Sequence, residues 1–297
     1  MKIGFIGLGQ MGKPMALNLV RKSGAEVAVH SIDQACYEEF RRVGARTVAR
    51  AHELCDADLI LLSLPNGDVV CDVLLGSDGL LGHLKAGQTV VDTSTIGHAN
   101  TLEIGEALAA RGIDFLDAPV SGMEARAVEG TLTVMCGGSR SVFDRVEPFL
   151  RCFGNNLLFM GPAGSGQLTK LINQLLFDIN CAAIAEILPM AVKMGLEAQK
   201  VGEVINSGTG RSHASEFFVP RILEGNFSSG YPLKHAYKDL VSAAELGARR
   251  CIPMPVLAAA TATYQMALLD GHGALDKGAM VLPFEKRLDV QFRKSAE

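Results

Sequence analysis

The chain has 297 residues, 48% of them hydrophobic and 20% charged, a globular composition long enough for two domains with a core each. Against 32 acidic residues stand 28 basic ones, a net charge of −4, and no run of lysines or arginines occurs. That balance argues against nucleic acid as a partner and against a polybasic membrane patch. From the N-terminus, KIGFIG (2–7) reads as a strand and KPMALNLVRKSG (13–24) as a helix stopped by glycine. EVAVHS (26–31) is the second strand, and DLILLSLP (58–65) is an apolar run halted by Pro-Asn-Gly, as in a strand buried on both faces. TVVDTST (89–95), DFLDAP (114–119), TLTVMCGG (131–138) and NLLFMG (156–161) complete the series. Strands alternating with helices predict a doubly wound, mainly parallel sheet of the α/β Rossmann type.

After Gly166 the pattern changes to helix throughout. QLTKLINQLLFDINCAAIAEILPMAVKMG keeps helical periodicity for nearly thirty residues, with a kink or break expected at Pro189. The segments EFFVPRILEG, LKHAYKDLVSAAELGARR and PVLAAATATYQMALLDG follow with short turns. The boundary falls near 161–166, in GPAGSG, which predicts a dinucleotide-binding domain over 1–162 and an all-α domain over 163–297, joined by a long helix.

Seven widely spaced cysteines show no C-x-x-C pair and no Cys/His cluster of zinc spacing, so they read as small core residues of a reducing compartment. The histidines show no H-E-x-x-H spacing, and no metal is assigned. MKIGFIGLG carries no A-x-A cleavage site, and no run of about eighteen consecutive apolar residues occurs, so a cytoplasmic location with no membrane partner is expected. Neither a G-x-S-x-G elbow nor a P-loop is present, which disfavours a hydrolase or a kinase.

GLGQMG supplies Gly7, Gly9 and Gly12 in G-x-G-x-x-G spacing, leaving a strand and opening a helix. That context makes it a dinucleotide loop: Gly7 for the tight turn, Gly9 for backbone approach to a pyrophosphate, and Gly12 for helix–strand packing. Leu8, Gln10 and Met11 share the loop. The second strand ends in His30 and Ser31, with Asp33 two residues on, so neither a carboxylate nor an arginine stands at the strand end. The cofactor is NAD or NADP, and this end inclines to NADP or to use of both.

Lys170 lies in the first turns of a helix, where the dipole repels a cation. A surface lysine is the plain alternative. Asn173, Gln174 and Asp178 follow at i+3, i+4 and i+8, a polar stripe suited to a wet cleft, while Leu171, Ile172, Leu175, Leu176 and Ile179 point into packing.

Five ordered blocks together resemble the β-hydroxyacid dehydrogenase family, whose members include 3-hydroxyisobutyrate dehydrogenases and tartronate semialdehyde reductases. They are FIGLGQMGKPM (5–15), LPNGD with VDTSTI (64–68, 91–96), DAPVSG with GTLTVMCGG (117–138), GSGQLTKLIN (164–173) and YKDL (237–240). The resemblance implies a small anionic hydroxy acid as substrate, exchanged with its semialdehyde or keto acid. It implies Lys170 as the catalytic lysine, and Ser121 and Gly122 as the loop holding a substrate carboxylate. Asn173 is implied three residues beyond the lysine, with Gln174 beside it. Met11, Leu64, Pro65 and Thr95 are implied as cofactor contacts, and Lys238 as the lysine beside the nicotinamide. The chain departs from the family at Met123, where a second glycine is usual in the substrate loop, at Arg126 and at Gln174. Relatives associate through the helical domain, which implies a homodimer or homotetramer.

The chemistry fits that placement. Reducing a carbonyl needs a proton on oxygen, and a lysine near its ordinary pKa of about 10.4 is a poor base at neutral pH. The helix dipole and partial desolvation both disfavour the ammonium and would tune the residue as a general acid/base. An imine-reducing relative, in which the lysine is often replaced, and a cofactor-binding redox sensor without turnover are the competing readings.

Overall fold

The computed structural model describes residues 1–294. The chain divides into two compact units, Met1–Lys170 and the residues from Leu171 onward, and the division falls inside one long helix.

The first unit is built on a single sheet. Its strands are β1 (Lys2–Ile6), β2 (Glu26–His30), β3 (Arg46–Thr47), β4 (Leu59–Leu62), β5 (Thr89–Asp92), β6 (Asp114–Asp117), β7 (Val120–Ser121), β8 (Leu132–Gly138) and β9 (Gly154–Gly161). Their order is β3-β2-β1-β4-β5-β6-β8-β7, with β9 on β8. The chain reverses direction across the sheet between β1 and β4, the place where open α/β sheets bind dinucleotides. β1 to β6 are parallel, and β8 runs antiparallel to β6. Every residue of LILL (β4) and TVVD (β5) is buried, as expected of strands covered on both faces. The helices are α1 (Gly12–Lys22), α2 (Tyr37–Arg42), α3 (Gly67–Leu75), α4 (His98–Ala109), α5 (Met123–Glu129) and α6 (Arg140–Leu150). α1 buries Met15, Ala16 and Leu19 and ends in Arg21 and Lys22, cations that complement the negative end of its dipole.

The second unit is helical: most of α7 (Ser165–Lys193), then α8 (Ala198–Ser207), α9 (His213–Leu223), α10 (Leu233–Arg250), α11 (Pro255–Leu269) and α12 (Val281–Leu288). Leu188, Phe218, Ile222, Leu233, Leu240, Tyr264 and Phe292 form its core. Ser212 and Ser215 cap the start of α9 reciprocally.

Expectations for α7 need correcting in three places. Of the kink or break expected at Pro189, the break does not occur, and the helix runs on to Lys193. Ile172 and Leu176 are 60% and 61% exposed in this chain, so helical periodicity marks a face without fixing what covers it. Asp178, expected in a wet stripe, is fully buried and ion-paired with Lys277, whose ammonium also lies 4.3 Å from the centre of the Phe177 ring. Among the described residues α7 is the one helix long and apolar enough to cross a membrane by length and composition. Its Cys181, Ala182, Ala185 and Leu188 are buried in the helical core.

The cysteines are all unpaired. Four are buried as expected, Cys36 and Cys71 are half-buried, and Cys251 is exposed at the left-handed C-terminal cap of α10.

Candidate active site

Parallel register brings the loops to one edge. Ile6 pairs with His30 and Leu62, Leu62 pairs with Asp92, and Asp92 pairs with Asp117. The residues after each of these leave the sheet side by side. Gly7–Gly12, Ser31, Leu64–Pro65, Thr95 and Ala118 onward are therefore gathered at the carboxyl ends of the strands.

The three glycines of the first loop have different reasons to be glycine. Gly7 has φ +97°, and a side chain there would strike the Ser63 carbonyl. A methyl on Gly12 would overlap the Gly7 carbonyl. A methyl on Gly9 would meet no protein atom within 4 Å. Gly9 is thus not demanded by the protein's own packing, and the open space above it is what a pyrophosphate would fill. Just beyond, α1 opens with Met11 at its cap, no side-chain hydrogen bond and no acidic residue in its first turn. Lys13 donates its amide to the Gly9 carbonyl and Pro14 has none, so the amides of Met11 and Gly12 are the ones left to meet an anion. The loop fits a dinucleotide.

At the end of β2, the Tyr37 hydroxyl accepts from the Ser31 amide (2.9 Å) and donates to the Val48 carbonyl (2.8 Å). His30 Nδ1 lies 3.3 Å from the same carbonyl. The Asp33 carboxylate takes the Ala35 amide in a local turn. Leu64 and Pro65 precede α3, whose N-terminus is capped by Asn66 accepting from the Val69 amide. The Leu64 amide donates to Ser94 Oγ at 2.8 Å, joining the loops after β4 and β5.

The substrate loop starts at β7, where Ser121 pairs with Thr133 of β8. Gly122 has φ +141° and Met123 φ +62°, with the Met123 side chain 45% exposed. The other left-handed non-glycine residues, Cys251 and Asp289, end helices, where that conformation is ordinary; Met123 begins one. Arg126 donates to the Thr131 carbonyl of its own loop. Gln10 Nε2 donates to Glu124 Oε2 at 2.7 Å, linking the glycine loop to the start of α5.

Lys170 is 8% exposed, on the second turn of α7. That turn is tied to the strand ends. Gln167 Nε2 donates to the Ser94 carbonyl (2.7 Å), and its Oε1 accepts from the Ile96 amide (3.2 Å), bracketing Thr95. Asp117, fully buried at the end of β6, accepts from the amides of Gly164 (2.7 Å) and Gln167 (2.9 Å). Asp92 Oδ1 accepts from the Ser94 amide at 2.9 Å, so this acid orients the loop. In the helical unit, Asn173 is exposed and Gln174 half-buried on α7, and Lys238 is exposed on α10. Sequence reading gave Asp117 and Gln167 no role. The available signal was an acid at the end of an apolar strand, which burial obliges to find donors.

Family models match nearly the whole chain: the NAD binding domain of 6-phosphogluconate dehydrogenase over residues 2–161, and the NAD-binding of NADP-dependent 3-hydroxyisobutyrate dehydrogenase over 164–284. The chain belongs to the β-hydroxyacid dehydrogenase family. It is 38% identical to the 2-(hydroxymethyl)glutarate dehydrogenase of Eubacterium barkeri, over 97% of this chain and 96% of that one. It is 34% identical to the 2-hydroxy-3-oxopropionate reductase of Escherichia coli K12, over 96% and 97% of the two chains. A crystal structure of 3-hydroxyisobutyrate dehydrogenase from Salmonella typhimurium superposes with a TM-score of 0.85 at 29% identity, covering 95% of this chain and 99% of that one. Solved imine reductases share the fold at 19–20% identity and TM-scores of 0.60–0.63. Likeness to enzymes over the whole chain makes this β-hydroxyacid dehydrogenase an NAD(P)-dependent oxidoreductase rather than a sensor.

Proposed function

We propose that the enzyme interconverts a small β-hydroxy acid and the corresponding semialdehyde or keto acid, with Lys170 as general acid/base. The observation that carries this reading is the burial of Lys170 on a helix start pinned by Gln167 to both sides of Thr95. The bound nicotinamide would supply or accept the hydride. Neutral Lys170 Nζ takes the hydroxyl proton during oxidation, and its ammonium returns that proton during reduction. Asn173 and Gln174, at i+3 and i+4, orient the lysine or the substrate hydroxyl.

Ser121 and the Gly122 amide bind the substrate carboxylate, and Met123 borders it. Gly7 to Gly12, Leu64, Pro65 and Thr95 bind the cofactor, with His30 and Ser31 toward the adenosine ribose and Lys238 toward the nicotinamide. Neither a carboxylate nor an arginine at the end of β2 is placed to choose between a ribose hydroxyl and a 2′-phosphate, which supports use of both NAD and NADP. We assign residues 1–162 to cofactor binding and 163–297 to substrate binding and association. Exposed Ile172, Leu176, Ile187 and Met190 on α7, with Met194 just past its end, form an apolar surface that supports a homodimer or homotetramer. Seven unpaired thiols suit a cytoplasmic enzyme.

Initial rates with NAD and NADP across β-hydroxy acids of three to six carbons test the assignment. The expected result is turnover of at least one acid, with kcat/KM for the two cofactors within about tenfold. Turnover of amines and imines but of no hydroxy acid would overturn it.

A further inference from the structure

Two buried acids lie side by side at the ends of β5 and β6. Asp92 and Asp117 are register partners and both are fully buried, yet their surroundings differ. Asp117 is ringed by donors: the Gly164 amide on Oδ1, the Gln167 amide on Oδ2, and the Gly166 amide beside them. Asp92 receives the Ser94 amide on Oδ1, while its Oδ2 is buried with no hydrogen-bond partner. Converging amides favour a carboxylate, and a bare buried oxygen favours a carboxyl group. Two like charges at this spacing repel and burial raises both carboxyls, so as pH falls the first proton goes to Asp92, the acid with the bare oxygen, and Asp117 keeps its charge longer.

Asp117 also occupies a particular place. Gly164 and Gln167 are the cap and third positions of α7, so their amides are among the four that a helix start leaves unsatisfied. The Ser165 amide is taken by the Pro162 carbonyl. A residue 50 positions away from Gln167 therefore does the work of a local capping side chain. The contact is close enough to need glycine on both sides. A methyl on Gly166 would strike the Met135 carbonyl and lie 2.7 Å from Asp117 Oδ2, and one on Gly137 of β8 would lie 2.5 Å from Asp117 Oδ1.

We infer that Asp117 is a positioning residue for Lys170: its carboxylate, held by the converging amides, caps α7 and so fixes where the lysine stands and how readily its ammonium gives up a proton. This rests on the acid/base reading of Lys170. The helix start by itself disfavours an ammonium, and a carboxylate at that end opposes the effect. The two together hold the lysine nearer to its ordinary proton affinity than the helix alone would. Burial and the neighbouring carboxylate push Asp92 up to about 7, so it carries the pair's proton below neutrality. The titratable groups around Asp117 are Asp92 on β5, Cys136 on β8, His98 beside Gly164 at the start of α4, and Lys170 itself one turn along.

The test compares Asp117→Asn, Gln167→Ala and Lys170→Ala in the full chain, using the β-hydroxy acid turned over fastest. Asp117→Asn keeps the shape and removes the charge. We expect it to bind cofactor as the parent does, to lose about 10- to 100-fold in kcat, and to begin its rise of oxidation rate with pH at lower pH. Gln167→Ala should lower kcat in the same direction with the pH profile unmoved. If Lys170→Ala is inactive while a folded Asp117→Asn keeps its kcat within twofold and its profile unchanged, the inference is overturned and the reading of Lys170 stands. If Asp117→Asn does not fold, the smaller neutral variant Asp117→Ser takes its place, and unchanged kcat and pH profile there overturn the inference. If Lys170→Ala turns over normally, the reading of the lysine fails, and the positioning role with it.

Discussion

α1 and α7 start at the same edge of the sheet and treat their first turns in opposite ways. α1 has no side-chain cap and no acidic residue in its first turn, and the glycine before it faces open space. α7 has Asp117 on its cap and third amides and the Pro162 carbonyl on its first, with a lysine one turn later. Both helices present the positive end of a dipole. Left open, that end receives a phosphate; neutralised from within, it can tolerate a cation. The chemistry of each loop follows from where its amides go.

The glycine loop gives the largest test of this contrast. Gly12→Ala forces a methyl onto the Gly7 carbonyl and is expected to cost about 2–4 kcal/mol of stability in chemical unfolding. Gly9→Ala meets nothing in the protein, so its unfolding midpoint should stay where it is while the cofactor dissociation constant rises about tenfold. Equal loss of stability in both variants would erase the distinction between a packing glycine and a cradle glycine. A smaller effect is expected at the buried acid pair. Burial raises the Asp92 carboxyl from about 3.8 to about 7, so between those values the folded state holds a proton that the unfolded chain has released. Stability therefore falls as pH rises through that window and levels off above it, by about 1.4 kcal/mol per pH unit at most. Asp92→Asn should flatten this slope, read from urea midpoints between about pH 4 and 8. A slope unchanged in the variant would place the titration elsewhere.

Much of the first unit was legible in the sequence because its signals are local. Apolar runs, most of them halted by Gly, Pro or Asn, marked seven of the strands, and GLGQMG sits between β1 and α1 where its spacing requires. The two-residue strands β3 and β7 are too short to carry a pattern. The direction of β8 was also hidden, since TLTVMCGG reads alike whichever way the strand runs. In the helical unit, periodicity identified the faces of α7 and misjudged their cover: Ile172 and Leu176 face outward and Asp178 lies inside against Lys277. Asp117 shows the same limit at the candidate site, because the amides that give it a purpose lie about 50 residues away in sequence.

Single-turnover hydride transfer, followed by nicotinamide absorbance in the parent and in Lys170→Ala, tests the central claim most directly. The account predicts cofactor binding unchanged and a rate lower by about 10²- to 10⁴-fold in the variant. A variant that binds cofactor equally and transfers hydride within tenfold of the parent would contradict it.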